Sequence, residues 1–229
     1  SGPYIVKDIK RRTNGSPYQF TLTAWSKYAP GEKNISTIYF HIYPDSESLI
    51  KALRSGEIES ASDLSPKDAE TLKSAGFDVR TTDLHRTFGV FFNQNQETIF
   101  VDKQVRVALE TAVDRTRIVD TVLLSYGNEE DTPLPSEDSL HDSPTEPASV
   151  AEAILLKDGW KRNSDGIMEK KDSKGTRTLS FTLTTSNNPE LIATANLLKE
   201  QWSAIGAEVS VVNLALTELT ETVIRPRKY

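Results

Sequence analysis

In the stretch VRVALETAVDRTRIVDTVLLSYG, residues 105–127, apolar positions recur with helical spacing twice over. Val105, Ala108, Leu109 and Ala112 follow the i, i+3, i+4, i+7 pattern of one buried stripe, and Arg106 with Glu110 forms an i, i+4 pair on the wet side. Asp114 then offers its carboxylate to the free amides of a new first turn. Ile118, Val119, Val122 and Leu123 give that second helix its own apolar face, and Gly127 is the expected stop. The pattern predicts two linked helices packed on a sheet.

Elsewhere the period alternates between two and 3.6. PYIVKDI (3–9) and YQFTLTAW (18–25) predict strands joined as a hairpin through RRTNGSP. STIYFHIY (36–43) predicts a strand with Ile38, Phe40 and Ile42 on its inner side. Asp45 or Ser46 then caps a helix that Gly56 ends, and Ser65-Pro66 opens another that Gly76 ends. FDVRTTD (77–83) and TFGVFFN (87–93) are expected strands. Later come a helix over 148–158, a hairpin turning at Ser164-Asp165-Gly166, and a strand over 178–184. A long helix capped by Asn188 and started by Pro189 follows, with Leu191, Ala195, Leu198, Trp202 and Ile205 inward. Gly206 releases the chain into the strand EVSVVNL. Strands and helices alternate throughout, so the class is α/β or mixed α+β. Between the two halves, GNEEDTPLPSEDSLHDSPTEPAS (127–149) breaks every periodicity with four prolines and seven carboxylates. It reads as a long exposed connection and the expected domain boundary.

Composition removes several chemistries. The 229 residues carry 27 basic against 33 acidic side chains, a net charge of −6, so no basic face is offered to nucleic acid. With no cysteine there is no thiol nucleophile and no thiolate metal site. His41, His85 and His141 are far apart and fit no ligand frame, so no metal is expected. His41 is expected at the surface of its strand. His141-Asp142 sits in the acidic connection, where nothing holds catalytic geometry. GxSxG, GxxxxGK[ST] and GxGxxG are all missing, and the carboxylates of 129–146 lack calcium-loop spacing. No enzyme and no cofactor is expected. No apolar run reaches membrane-spanning length. The chain begins Ser-Gly and ends at RPRKY just after an apparent helix, and both ends are expected to be cuts.

Several motifs, taken in order, resemble the extracytoplasmic solute-binding proteins of peptide ABC transporters, the dipeptide and oligopeptide-binding family 5. GPY (2–4) is similar to the family's GxGPY start, and IYFHIYPDSESLIKALRSGEIESA (38–61) to its strand, Pro, helix and "SGEID" run. FFN (91–93) resembles a strand ending in Asn, and residues 105–127 resemble the "VRqAlayAiDReaiv" signature followed by the prolines of TPLP (132–135). AEAILLKDGWKRNSDGIMEK (151–170), LKEQWSAIGAEVSVVNL (198–214) and RPRKY (225–229) resemble later segments of the family. The resemblance spans nearly the whole chain.

It implies a type II periplasmic-binding-protein-like fold and an internal fragment with parts of two lobes. Residues 1–130 would be the second part of domain I, and residues 131–229 the first, truncated part of the C-terminal lobe. It also implies a binding protein that captures oligopeptides or dipeptides outside the cytoplasmic membrane and delivers them to permease subunits, lipid-anchored in its full-length form. Asn93, Thr132, Pro133 and Leu134 would face the ligand cleft, while the family's charged anchors for peptide termini have no counterpart here. The alternative is a ligand-sensing domain of a cytoplasmic transcriptional regulator, which predicts a basic recognition helix upstream. A hydrolase would need a nucleophile or carboxylate pair that the sequence does not place.

Overall fold

The computed structural model describes residues 2–31, 34–82, 86–130, 132, 146–173 and 175–229. The chain forms two compact units, Ser1–Val79 and Arg80–Tyr229. The packing therefore divides some fifty residues before the composition break at 127–149, because the helices that flank that break share one core.

In the first unit, β1 (Tyr4–Arg11), β2 (Pro17–Ala24) and β3 (Thr37–His41) form an antiparallel sheet in chain order. The predicted hairpin is there. Register places Ile9, Phe20 and Phe40 in one cross-strand row and Val6, Leu22 and Ile38 in the next. Those rows lack a covering layer: Phe40 and Val6 are 55% and 56% exposed, and Ile42 is exposed as well. The alternation was legible; the burial it predicts for Phe40 and Ile42 is not reached, and both remain exposed. α1 (Ser46–Ser55) starts where Asp45 accepts from the Ser48 amide at 2.8 Å, and α2 (Pro66–Ser74) starts at Ser65, whose hydroxyl accepts from the Asp68 amide at 3.2 Å.

The second unit carries the main core. A 3₁₀ turn (Thr98–Val101) leads into α3 (Lys103–Thr111) and α4 (Arg115–Leu123), and α5 (Pro147–Lys157) packs on α3. β4 (Lys161–Arg162), β5 (Met168–Asp172) and β6 (Gly175–Thr178) make a small antiparallel sheet. β7 (Ser180–Ser186), α6 (Pro189–Ala204) and β8 (Glu208–Leu214) form a βαβ unit with the two strands parallel. A single turn, α7 (Leu216–Glu218), and a π-helix, Leu219–Ile224, follow. Val105, Ala108, Leu109, Leu155, Trp160, Trp202 and Ile205 are buried together, the aromatic heart being Phe92, Phe100, Phe181 and Trp202 with ring centroids 4.9–6.5 Å apart.

Three local expectations are corrected. Residues 77–82 and 86–93 belong to no sheet, because among the described residues no strand ladder includes them. α4 ends at Leu124, which itself takes the left-handed conformation (φ +48°), so Gly127 is not its stop. Gly127 is instead a close approach: a Cβ there would meet Leu123 Cδ1 at 2.5 Å. Arg106 does not pair with Glu110; its guanidinium caps the Phe100 and Val101 carbonyls, and Glu110 faces Arg115 at 3.5 Å.

Candidate functional site

The family-like signature at 105–127 turns out to be architecture. α3 and α4 meet at a corner around Asp114, where a helix end and a helix start leave backbone groups without intrahelical partners. α6 reaches this corner with three successive residues, two of which bond those backbone groups. Trp202 Nε1 donates to the Leu109 carbonyl at 2.8 Å inside the core. Gln201, only 8% exposed, accepts from the Asp114 amide at 3.0 Å. Arg117 makes a two-pronged ion pair with Glu200 at 3.0 and 3.2 Å. Asp114 itself caps α4 by accepting from the Arg117 amide at 2.8 Å. Sequence spacing revealed both stripes but not this grip, since Gln201 and Glu200 lie on positions that periodicity reads as merely polar.

A charged cluster ties the other end of α3. Lys170 on β5 reaches Asp158 at 2.6 Å and Asp102 at 3.3 Å, all three largely shielded from water. Burial works against the charged form of Asp102, but the Gln104 amide and Lys170 outweigh it and hold its carboxyl below the ordinary range. Lys170 is held above its ordinary value, chiefly by its bond to Asp158. Every charge in this cluster has a partner inside the chain, which marks it as a brace.

The concave surface that offers unspent groups lies at the end of the 86–93 segment. Phe91, Phe92, Asn93, Gln94, Asn95 and Tyr229 line a cleft of about 440 Å³. Phe92 points into the core, whereas Phe91 is 79% exposed. Asn93 spends half of its side chain on the protein: Oδ1 accepts from the Asn95 amide at 3.1 Å, and Nδ2 donates to the Arg227 carbonyl at 2.9 Å. One N–H and one lone pair remain. The lining is uncharged, with three amides and two accessible rings, suited to main-chain amides and apolar side chains. A second concavity, about 470 Å³ along the outer side of α1, is walled by Glu47, Ile50, Lys51, Arg54 and Ser55 of that one helix and has no such convergence of polar groups.

Of the residues expected at a ligand cleft, Asn93 is in this lining. Thr132 is exposed and does not line it, and Pro133 and Leu134 lie outside the described residues, as do His85 and His141. His41 is exposed on β3. Among the described residues no three His, Cys, Asp or Glu side chains are grouped to hold a metal ion, and no helix is long and apolar enough to cross a membrane. Tyr229 was not foreseen as a lining residue; the turn that brings it there is tied to Asn93 through Arg227, 134 residues along the chain, and leaves no local trace in sequence.

Comparison with known proteins places these features. The oligopeptide-binding protein AppA of Bacillus subtilis (strain 168) is 28% identical over 242 residues, covering 99% of this chain and 41% of the relative. The structure of AppA in complex with a nonapeptide superposes with a TM-score of 0.65 over 96% of this chain and 44% of that one. NikA from Brucella suis, solved with Fe(III)-EDTA, is 21% identical and shares the fold with a TM-score of 0.75, over 95% of this chain and 44% of its own. The chain thus spans less than half the length of these relatives, and its mixed α/β fold is that of type II periplasmic-binding-protein-like proteins. The family described as bacterial extracellular solute-binding proteins, family 5 Middle, matches residues 1–226, and the chain belongs to it.

Proposed function

We propose that this chain is the middle portion of the substrate-binding component of an ABC transporter, which captures peptides outside the cytoplasmic membrane and hands them to membrane permease subunits. Family membership over residues 1–226 carries the reading. Residues 1–130 would enter domain I of the whole protein, and residues 131–229 would open its C-terminal lobe. A lipid anchor in the full-length protein belongs to the same proposal. The transcriptional-regulator alternative draws no support from the relatives named above.

Peptide is favoured over metal chelate for two reasons. The relative at 28% identity is an oligopeptide-binding protein, whereas the chelate-bound NikA at 21% speaks for fold alone. The neutral amide and aromatic lining of the 91–95 cleft also suits an uncharged peptide stretch, whose main chain finds donors and acceptors while an apolar side chain rests on Phe91. Asn93 would face that ligand from the 91–95 lining, and Thr132, Pro133 and Leu134 of the TPLP run would face it from outside that lining. Calorimetry of the full-length protein against di- to nonapeptides and against a nickel–histidine chelate tests this. Micromolar or tighter peptide binding with no chelate binding is expected, and the opposite order of affinities overturns the peptide assignment.

A further inference from the structure

Residues 215–229 are held by very little. Neither α7 nor the π-helix has a buried residue, and Leu216 and Ile224 are 66% and 48% exposed. Among the described residues, the hydrogen bonds of this segment close locally, with one exception: Asn93 Nδ2 to the Arg227 carbonyl. That carbonyl belongs to an unfavourable residue. The Lys228 amide donates to Val223 O at 2.8 Å, and the Arg227 amide to Ile224 O at 3.0 Å. These are the two bonds of a Schellman turn, whose left-handed position normally falls to Gly. Arg227 occupies it at φ +56°, a conformation that side chains with a Cβ disfavour. A strained turn with no core beneath it needs an external tie. Asn93 is positioned to be that tie, because Phe92 beside it is fixed in the core against Phe100 and Trp202, while Asn93 O accepts from the Gln96 and Glu97 amides.

We propose that Asn93 is a positioning residue: its amide fastens the Arg227 turn to the end of the core-anchored 86–93 segment, and so holds the Tyr229 wall of the cleft where a ligand meets it. The effect on ligand rests on the peptide-binding reading above; the fastening itself does not. Asn93→Asp separates the two bonds, since a carboxylate keeps the acceptor for the Asn95 amide and loses the donor to Arg227. Arg227→Gly keeps the carbonyl and removes the cost of the left-handed turn, so it should compensate for a lost tie but not for a lost ligand contact.

The experiment compares wild type, N93D, R227G and N93D/R227G in the full-length protein by amide hydrogen exchange and by binding of a nonapeptide with uncharged side chains. In N93D the amides of 223–228 should exchange roughly tenfold faster, with α3 and α6 unchanged, and peptide affinity should fall roughly tenfold, as expected for one hydrogen bond of ordinary strength. The double variant should recover most of both. Unchanged exchange at 223–228 in N93D overturns the proposal, and so does an affinity loss that R227G fails to restore, which would make Asn93 a ligand contact only. If wild type binds no such peptide, the functional reading fails, and exchange in N93D still decides the tie.

Discussion

Gly206 shows how a single residue can be required twice over. It sits at φ +84°, and a Cβ there would lie 2.9 Å from Met168 Cγ and 3.1 Å from the Gly166 carbonyl. Gly206→Ala therefore meets both backbone strain and overpacking against a fully buried methionine. A loss of about 1–3 kcal/mol in denaturant unfolding is expected. Lys170 makes a pH-dependent case. Asp102 has its pKa lowered from 3.8, so its contribution is present above that value and is lost as pH falls through the folded value. Lys170 has its pKa raised from 10.5, so its contribution is present below that and is lost as pH rises through the folded value. Lys170→Met should thus cost about 1–3 kcal/mol near neutrality, with the difference from wild type narrowing below about pH 4 and above about pH 10.5. A constant difference across that range in pH-dependent melts would refute the brace. The glycine stop at 206 was legible in the sequence. The Lys170 cluster was not, because its members are 12 and 68 residues apart along the chain.

At the scale of elements, capping chemistry was the most legible signal. Asp45, Ser65, Asp114 and Asn188 all cap the helices their positions predicted, because a cap is a local bond that needs no tertiary partner. Strands were less legible: TFGVFFN has the composition of one, yet a strand exists only where a neighbouring backbone pairs with it, and that neighbour is not encoded nearby. The grip of α6 on the α3–α4 corner yields an ordered prediction. Trp202→Phe forfeits a buried hydrogen bond to the Leu109 carbonyl, and Gln201→Leu leaves the Asp114 amide without its acceptor. Each should cost about 1–3 kcal/mol. Arg117→Ala breaks a pair whose partners are 45% and 60% exposed, so less than about 1 kcal/mol should be lost. Equal costs for all three in chemical denaturation would mean that the corner is held by surface charge instead.

For the molecule as a whole, the two units differ in how much core each owns. The main cluster draws its members from residues 92–209, whereas among the described residues of Ser1–Val79 the buried apolar ones are Ala52, Ala69 and Leu72. Residues 80–229 expressed alone should therefore keep slow amide exchange in α3 and α6, and residues 1–79 alone should show little protection. Comparable protection in both pieces would contradict this division. The family was legible from ordered motifs, while the packing boundary was not: a proline and carboxylate-rich sequence does not tell whether the helices on either side of it share one core, as α3 and α5 do. The bond from Trp202 to Leu109 also sets a timetable for biosynthesis. It closes a loop of 93 residues, so α3 cannot be capped until α6 has been made. At roughly 5–20 residues per second that interval is on the order of 5–20 s, during which the Leu109 carbonyl has no native donor and α3 can gather only part of its cover, from α5. A nascent chain in that state keeps the α3–α4 corner open, and if the whole protein is exported as proposed above, the delay leaves its core unclosed while it is being handed on.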